Sequence, residues 1–205
     1  MNCVCPQPTT ITDIPDFNCP FKLKQIQRIA FQIRGDSFDT DAETAPTDIK
    51  VLADWQAKIA ATDATKIAVS PKIGGNPVIT AGDAITEGGN DNSTFNGVAI
   101  NNGSGPSTFS VDFFNITPEI EKAMKTLLCR TDLAAYLILE GGLLGVKKVD
   151  DTEYQPFPID NLFFSDRANN GFAGNDVNTL TFNLTPGWSS DLAIVQPEFN
   201  AVLDL

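Results

Sequence analysis

The chain has 205 residues, with 26 Asp and Glu against 14 Lys and Arg, no His, and a formal net charge of −12. That balance is the reverse of a nucleic-acid-binding footprint or a polybasic membrane patch, and the lack of His excludes Ser-His-Asp and Cys-His catalysis and His-ligated metals. A hydrophobic fraction of 42% with 20% charged residues fits a single globular domain with a real core, and no run approaches the roughly 18 apolar residues of a membrane helix.

The opening MNCVCPQPTT has neither a basic n-region nor an apolar h-region, so no signal peptide is expected and the thiols should stay reduced. Cys3 and Cys5 are spaced more tightly than a zinc knuckle, and Cys19 and Cys129 are scattered. Free thiols are therefore expected, with Cys129 a small core residue on a helix. Residues 1–21 contain Pro6, Pro8, Pro15 and Pro20 and read as an extended N-terminal arm with Ile11, Ile14 and Phe17 as apolar anchors.

A β-rich core domain follows over 22–185. Ile29, Phe31 and Ile33 alternate toward Gly35, which predicts a strand within Lys22–Arg34. Ser37–Pro46 reads as an acidic loop. Val51, Leu52, Trp55 and Ile59 share one face of a helix predicted over Asp48–Thr62, with Thr47 as N-cap. Lys66–Ser70 is a short strand, and 71–93 is a long polar, glycine-rich loop. Thr94–Ile100 and Ser107–Phe114 read as paired strands, with Phe109, Val111 and Phe113 on one face.

Thr117 as N-cap, Pro118 at the first helical position and Glu119 and Glu121 in the first turn start a helix whose buried stripe is Ile120, Ala123, Met124, Leu127 and Leu128. Leu133–Val149 predicts a hairpin turning at Gly141-Gly142, with Leu137, Leu139, Leu144 and Val146 in the core or an interface. Strands at Phe157–Ser165 and Asn178–Leu184 flank a second polar loop at 166–177. Residues 186–205 read as a C-terminal arm carrying Ile194, Val195, Phe199, Val202 and Leu203. Such apolar arms either pack on their own body or lie on a partner. The sum is a mainly β fold (α+β): an antiparallel sandwich or barrel of about eight strands with one or two packed helices.

Reactive chemistry is sparse. Glu119 and Glu121 are two apart on a helix and face different sides, which suits dipole complementation rather than a shared substrate. Asp36, Asp39 and Asp41 are carboxylate-rich, but they lack the glycine and the terminal glutamate of a calcium loop. No nucleophile–base pair is visible. The expectation is a protein with no enzymatic activity, cofactor or metal.

The order of these elements over 22–185 resembles the tail tube (major tail) proteins of tailed bacteriophages, and the stretch FNGVAINNGSGPSTFSVDFFNITPEIEKAMKTL is similar to structural proteins of phages and prophages of Bacteroidetes. The resemblance implies a homo-oligomeric virion subunit, assembled in the host cytoplasm. Its hexameric rings would stack, contact other virion proteins and enclose a conduit through which DNA passes without specific binding; no membrane is involved. The lumen of such a tube is generally acidic, and the carboxylates on or beside predicted strands are Asp112, Glu140, Asp150 and Asp151. Alternatives of the same class are head-completion, neck or capsid-decoration proteins. A more distant one is a sugar- or surface-binding β-sandwich, for which two Trp and two Tyr are few.

Overall fold

The computed structural model describes residues 14, 22–43, 45–89 and 91–205. The N-terminal arm, with Cys3, Cys5 and Cys19, otherwise lies outside the described residues. The first half of the chain forms β1 (Ile26–Ile33), β2 (Phe38–Asp39), α1 (Leu52–Ala60), β3 (Ala68–Val69), β4 (Val78–Thr80), β5 (Ala84–Glu87), β6 (Ile100–Ser104) and β7 (Ser107–Phe114). The second half forms α2 (Pro118–Thr126), β8 (Leu133–Leu139), β9 (Leu144–Lys148), β10 (Glu153–Gln155), β11 (Phe157–Phe164), β12 (Val177–Leu184), β13 (Leu192–Val195) and α3 (Ala201–Asp204).

The fold is mainly antiparallel β, as expected. It has thirteen strands rather than about eight, and it is not a closed barrel. Eleven strands form one sheet whose main path runs β2-β10-β9-β8-β11-β12-β7-β4, with β1 beside β8, β3 beside β1 and β13 beside β9; β5 and β6 form a separate ribbon. The extra strands are short. Two to four residues of β2, β3, β10 or β13 are too few to show a period of two.

Two cores share β8, because all seven of its residues are buried. On one face Leu133, Ala135, Leu137 and Leu139 meet Ile29 and Phe31 of β1, Phe109 and Val111 of β7, Phe182 of β12 and Met124 of α2. On the other, Tyr136 and Ile138 meet Phe38, Trp55 of α1, Val146 of β9 and Val202 of α3. The hairpin between β8 and β9 turns at Gly141 and Gly142, whose φ of +81° and +77° lie where side chains with a Cβ are strained. Leu137, Leu139, Leu144 and Val146 are all fully buried, as the sequence predicted.

Three local expectations are corrected. The helix starts at Leu52, with Val51 as N-cap and no side-chain cap. Thr47 instead accepts the Asp39 N–H at 3.4 Å, while Asp48 caps its own turn through the Lys50 N–H at 2.9 Å. The loop at 71–93 contains β4 and β5. Thr94–Ile100 is a turn with a short 3-10 segment at Phe95–Gly97; the strand begins at Ile100 and pairs with β5, while β7 pairs with β4 and β12.

For residues 186–205, where packing on their own body and on a partner were both open, the structure shows the former for most of the segment. Leu192–Val195 pairs along β9, Ala201 and Val202 are buried, and Arg28 donates to the carbonyls of Val202 and Leu205. Of its apolar anchors, Val195 and Val202 are buried and Ile194 and Phe199 half-buried against the body, while Leu203 stays 72% exposed.

Leu139→Ala should lower unfolding free energy by about 2–5 kcal/mol in denaturant titration, since the truncated side chain leaves a cavity in a close-packed core. A loss below about 0.5 kcal/mol would overturn the placement of β8 between two cores.

Candidate functional site

The residues of β7 and β12 alternate strictly. Phe109, Val111, Phe113, Leu180, Phe182 and Leu184 point into the core, so Thr108, Ser110, Asp112, Thr179, Thr181 and Asn183 form the opposite face. The register sets Asp112 opposite Thr179, Ser110 opposite Thr181 and Thr108 opposite Asn183. On the flanks, β4 adds Val78 beside Ser110 and Thr80 beside Thr108, and β11 adds Phe163 beside Thr181 and Asp160 beside Asn183. The product is a mixed sheet face, with hydroxyls, a carboxamide and two carboxylates in the middle, exposed Val78, Phe114 and Phe163 toward its margins, and no Lys or Arg at any of these positions. Polar side chains here cost nothing in burial, which is why the strands can alternate so cleanly.

Asp112 lies near the middle of β7 and accepts the Thr179 hydroxyl at 2.6 Å. Its backbone carbonyl accepts the Gly75 N–H at 2.9 Å, which ties the segment before β4 to the same strand. Asp160 is paired with Arg34 at 2.6 Å, and Arg34 also donates to the carbonyls of Leu133 and Ile159. Asp112 is therefore the one carboxylate of this face without a cationic partner.

The other three candidate acids are elsewhere. Glu140 is exposed in the β8–β9 turn, where its N–H donates to the Gln25 carbonyl at 2.7 Å. Asp150 and Asp151 share the turn at the far end of β9. Asp150 accepts the Thr152 and Glu153 N–H groups at 2.8 and 2.7 Å, which hold its carboxyl below the usual range, and Asp151 pairs with Lys148 at 2.6 Å. The four thus do not converge. The sequence pointed to carboxylates and passed over the uncharged Thr108, Ser110, Thr179, Thr181 and Asn183, although the alternation that placed Phe109 and Leu180 inside also places these outside.

No other cluster assembles a reactive centre. Asp36 is held by Lys58 at 2.5 Å, with Gln32 donating to the same oxygen, while Asp39 accepts the Asp41 N–H at 2.9 Å. Among the described residues no three His, Cys, Asp or Glu side chains form a metal-binding group. Cys129 is exposed, against the expectation of a core position, because the helix ends in a 3-10 turn at Leu127–Cys129 that rotates it outward. Glu119 lies beside Thr117, whereas Glu121 reaches Lys125 at 2.7 Å and Arg167 at 3.6 Å. No described helix is long and apolar enough to cross a membrane. Comparison with protein-family models, with curated proteins and with solved structures gives no match.

One rim of the polar face is fastened by ion pairs. Lys125 of α2 joins Glu121 and Asp166, and Arg167 joins Asp176 at 3.6 Å and the Ile116 carbonyl at 2.6 Å, so loop 166–177 is tied to the start of α2. The hydrogen bonds from Lys125 hold the Glu121 and Asp166 carboxyls below their ordinary values. Their contribution is present above the ordinary carboxylate range and is lost as pH falls through the lowered values. The stability difference between the wild type and Lys125→Met should therefore be constant between about pH 5 and about pH 9 and shrink below about pH 4 in thermal melts. A difference that grows on acidification would refute this anchoring.

Proposed function

We propose that this chain is a structural virion protein without enzymatic activity, the tail tube subunit of a tailed bacteriophage, whose copies associate into rings that stack around a conduit for DNA. The reading rests on the resemblance of the element order over 22–185 to tube proteins and of 95–127 to structural proteins of Bacteroidetes phages. The observation that carries it is the face of β4, β7, β12 and β11, which has no Lys or Arg at its own strand positions and meets a cation only where Arg34 pairs with Asp160, on a sheet whose edge strand among the described residues is β4. An open edge is a template for pairing or covering by another copy, and a ring removes it.

The physical requirement on a conduit is that it must not retain the polyanion moving through it. Retention comes from Lys and Arg contacts that release counterions from phosphate. A wall of Thr, Ser and Asn with an unpaired Asp112 offers neither such contacts nor a cofactor-like pocket. Charges elsewhere on the subunit matter little, because ionic screening acts within about 8 Å at physiological salt.

Negative-stain microscopy and mass photometry of the purified protein should show rings or tubes; a species of 22.1 kDa at every concentration would overturn the reading. A second measurement addresses the wall. Wild-type assemblies should retain no DNA at about 0.15 M salt, and Asp112→Lys assemblies should retain it in a salt-sensitive way, since each copy adds a phosphate contact. Equal DNA retention by the two would remove this face from the path.

A further inference from the structure

The ribbon of β5 and β6 leaves the body between β4 and β7 and pairs with no other strand. All of its strand residues are exposed. It nevertheless carries four large apolar side chains: Phe95 is 87% exposed, Val98 60%, Ile85 52% and Ile100 49%. Glu87 is paired with Ile100, so Ile85, Glu87 and Ile100 share one face of the ribbon. Its three charged residues, Asp83, Glu87 and Asp91, are all acidic.

The base of the ribbon is closed. A Cβ on Gly82 would come within 2.2 Å of the Gly105 carbonyl oxygen, and the Gly105 N–H donates to the Asp83 carbonyl at 2.7 Å. Only glycine permits that crossing, and the crossing fixes the direction in which the ribbon leaves the body. An apolar stripe held in this way and covered by none of the described residues marks an interaction surface.

A complementary surface exists on the same molecule. A cleft of about 750 Å³ has a floor of Leu23, Ile26, Pro77 and Ile79, with Lys22 and Lys24 on its rim. Glu140 is the one carboxylate among its lining residues, and the cleft borders β4, the open edge of the sheet. Apolar stripe against apolar floor and acidic ribbon against basic rim match in both chemistry and charge.

We infer that the β5–β6 ribbon is a docking arm that seats in the Lys22–Lys24 cleft of a second copy of this chain. Because ribbon and cleft are different patches, the contact is heterologous: each copy gives its ribbon to one neighbour and receives a ribbon from another, which propagates into a ring or a stack. The inference rests on the self-assembly reading above and names the contact that would produce it.

The test uses full-length protein in sedimentation velocity over a concentration series. Ile85→Ser/Phe95→Ser/Ile100→Ser should raise the midpoint concentration of assembly by about tenfold or more, since truncating buried interface anchors removes most of the binding energy of a contact. Excision of 83–104, with Gly82 rejoined to Gly105 through two glycines, should do the same and leave the melting curve of the body intact. Glu87→Lys alone and Lys24→Glu alone should each weaken assembly, and the two together should restore it toward wild type. Assembly of the ribbon variants at the wild-type midpoint would overturn the inference and leave the tube reading standing. Weakening by the ribbon variants, with no effect of Lys24→Glu and no recovery in the pair, would place the ribbon on a different surface of the second copy and also overturn it. A wild type that stays monomeric at all concentrations would overturn both.

Discussion

The structure depends on the burial of β8 on both faces. Most strands of the sheet need only one apolar face, but every residue of Leu133–Leu139 is enclosed. Burial of each large side chain is worth about 1.5–3 kcal/mol, so this strand concentrates more of the hydrophobic driving force than any helix here. It is also the branch point of the sheet, paired with β1 on one side and with β9 and β11 on the other. A slip of one residue would exchange the two cores, setting Tyr136 against the β7 and β12 side and Leu137 against Trp55. The aromatic cluster forbids this: Tyr136 meets Trp55 edge to face at 5.2 Å and Phe38 at 5.9 Å, and no leucine reproduces that fit.

The second core explains why only one sheet face is left free. α1 is clamped across the back of β1 and β8 by Trp55 and by Lys58, a buried lysine that reaches Asp36, the Ser37 carbonyl at 3.1 Å and the Phe38 ring at 5.0 Å. A lysine so placed needs every one of those partners, because an unpaired buried ammonium would be strongly destabilising. α3 and β13 cover the rest of that side. With the back closed by helices and the shared core closed by β7 and β12, the outward face of β7 and β12 is left toward solvent among the described residues of the main sheet. Its polar composition is thus set by architecture before any function acts on it.

What the sequence made legible follows the same logic. The hairpin, α2 with its Thr117 cap, β7 and β12 were readable because each carries a full period of buried positions or a cap whose chemistry is local. The ribbon was not. Strands exposed on both faces have no reason to alternate, so Ala84–Glu87 and Ile100–Ser104 looked like loop, and Gly88, Gly89 and Gly103 reinforced that impression. The docked C-terminal segment was half legible, since its apolar anchors were visible but the strand that receives Leu192–Val195 lies far away in sequence. At the candidate face, Asp112 was placed near the right strand while Glu140, Asp150 and Asp151 fell on turns, because acids beside a strand end more often cap the next turn than continue the sheet.

That last point changes the meaning of the net charge. Asp63, Asp91 and Asp150 each stand two residues before a Thr or Ser, and each accepts both the N–H and the hydroxyl of that residue. Asp39 and Asp48 accept the N–H two residues on as well. These carboxylates fix turns, and the hydrogen bonds hold Asp63, Asp91 and Asp150 below the usual carboxyl range. Much of the acidity is therefore distributed around the loops as backbone anchors rather than gathered on a wall. On the β7–β12 face itself, Asp160 is neutralised by Arg34 and Asp112 stands alone. If phosphate is kept from adhering there, the cause is the exclusion of lysine and arginine from the sheet positions, with hydroxyls and carboxamides in their place, more than a dense negative field. Repulsion from the distant turn acids is screened, whereas the lack of Lys and Arg at the strand positions of the wall, with Arg34 at its edge committed to Asp160, holds at any ionic strength.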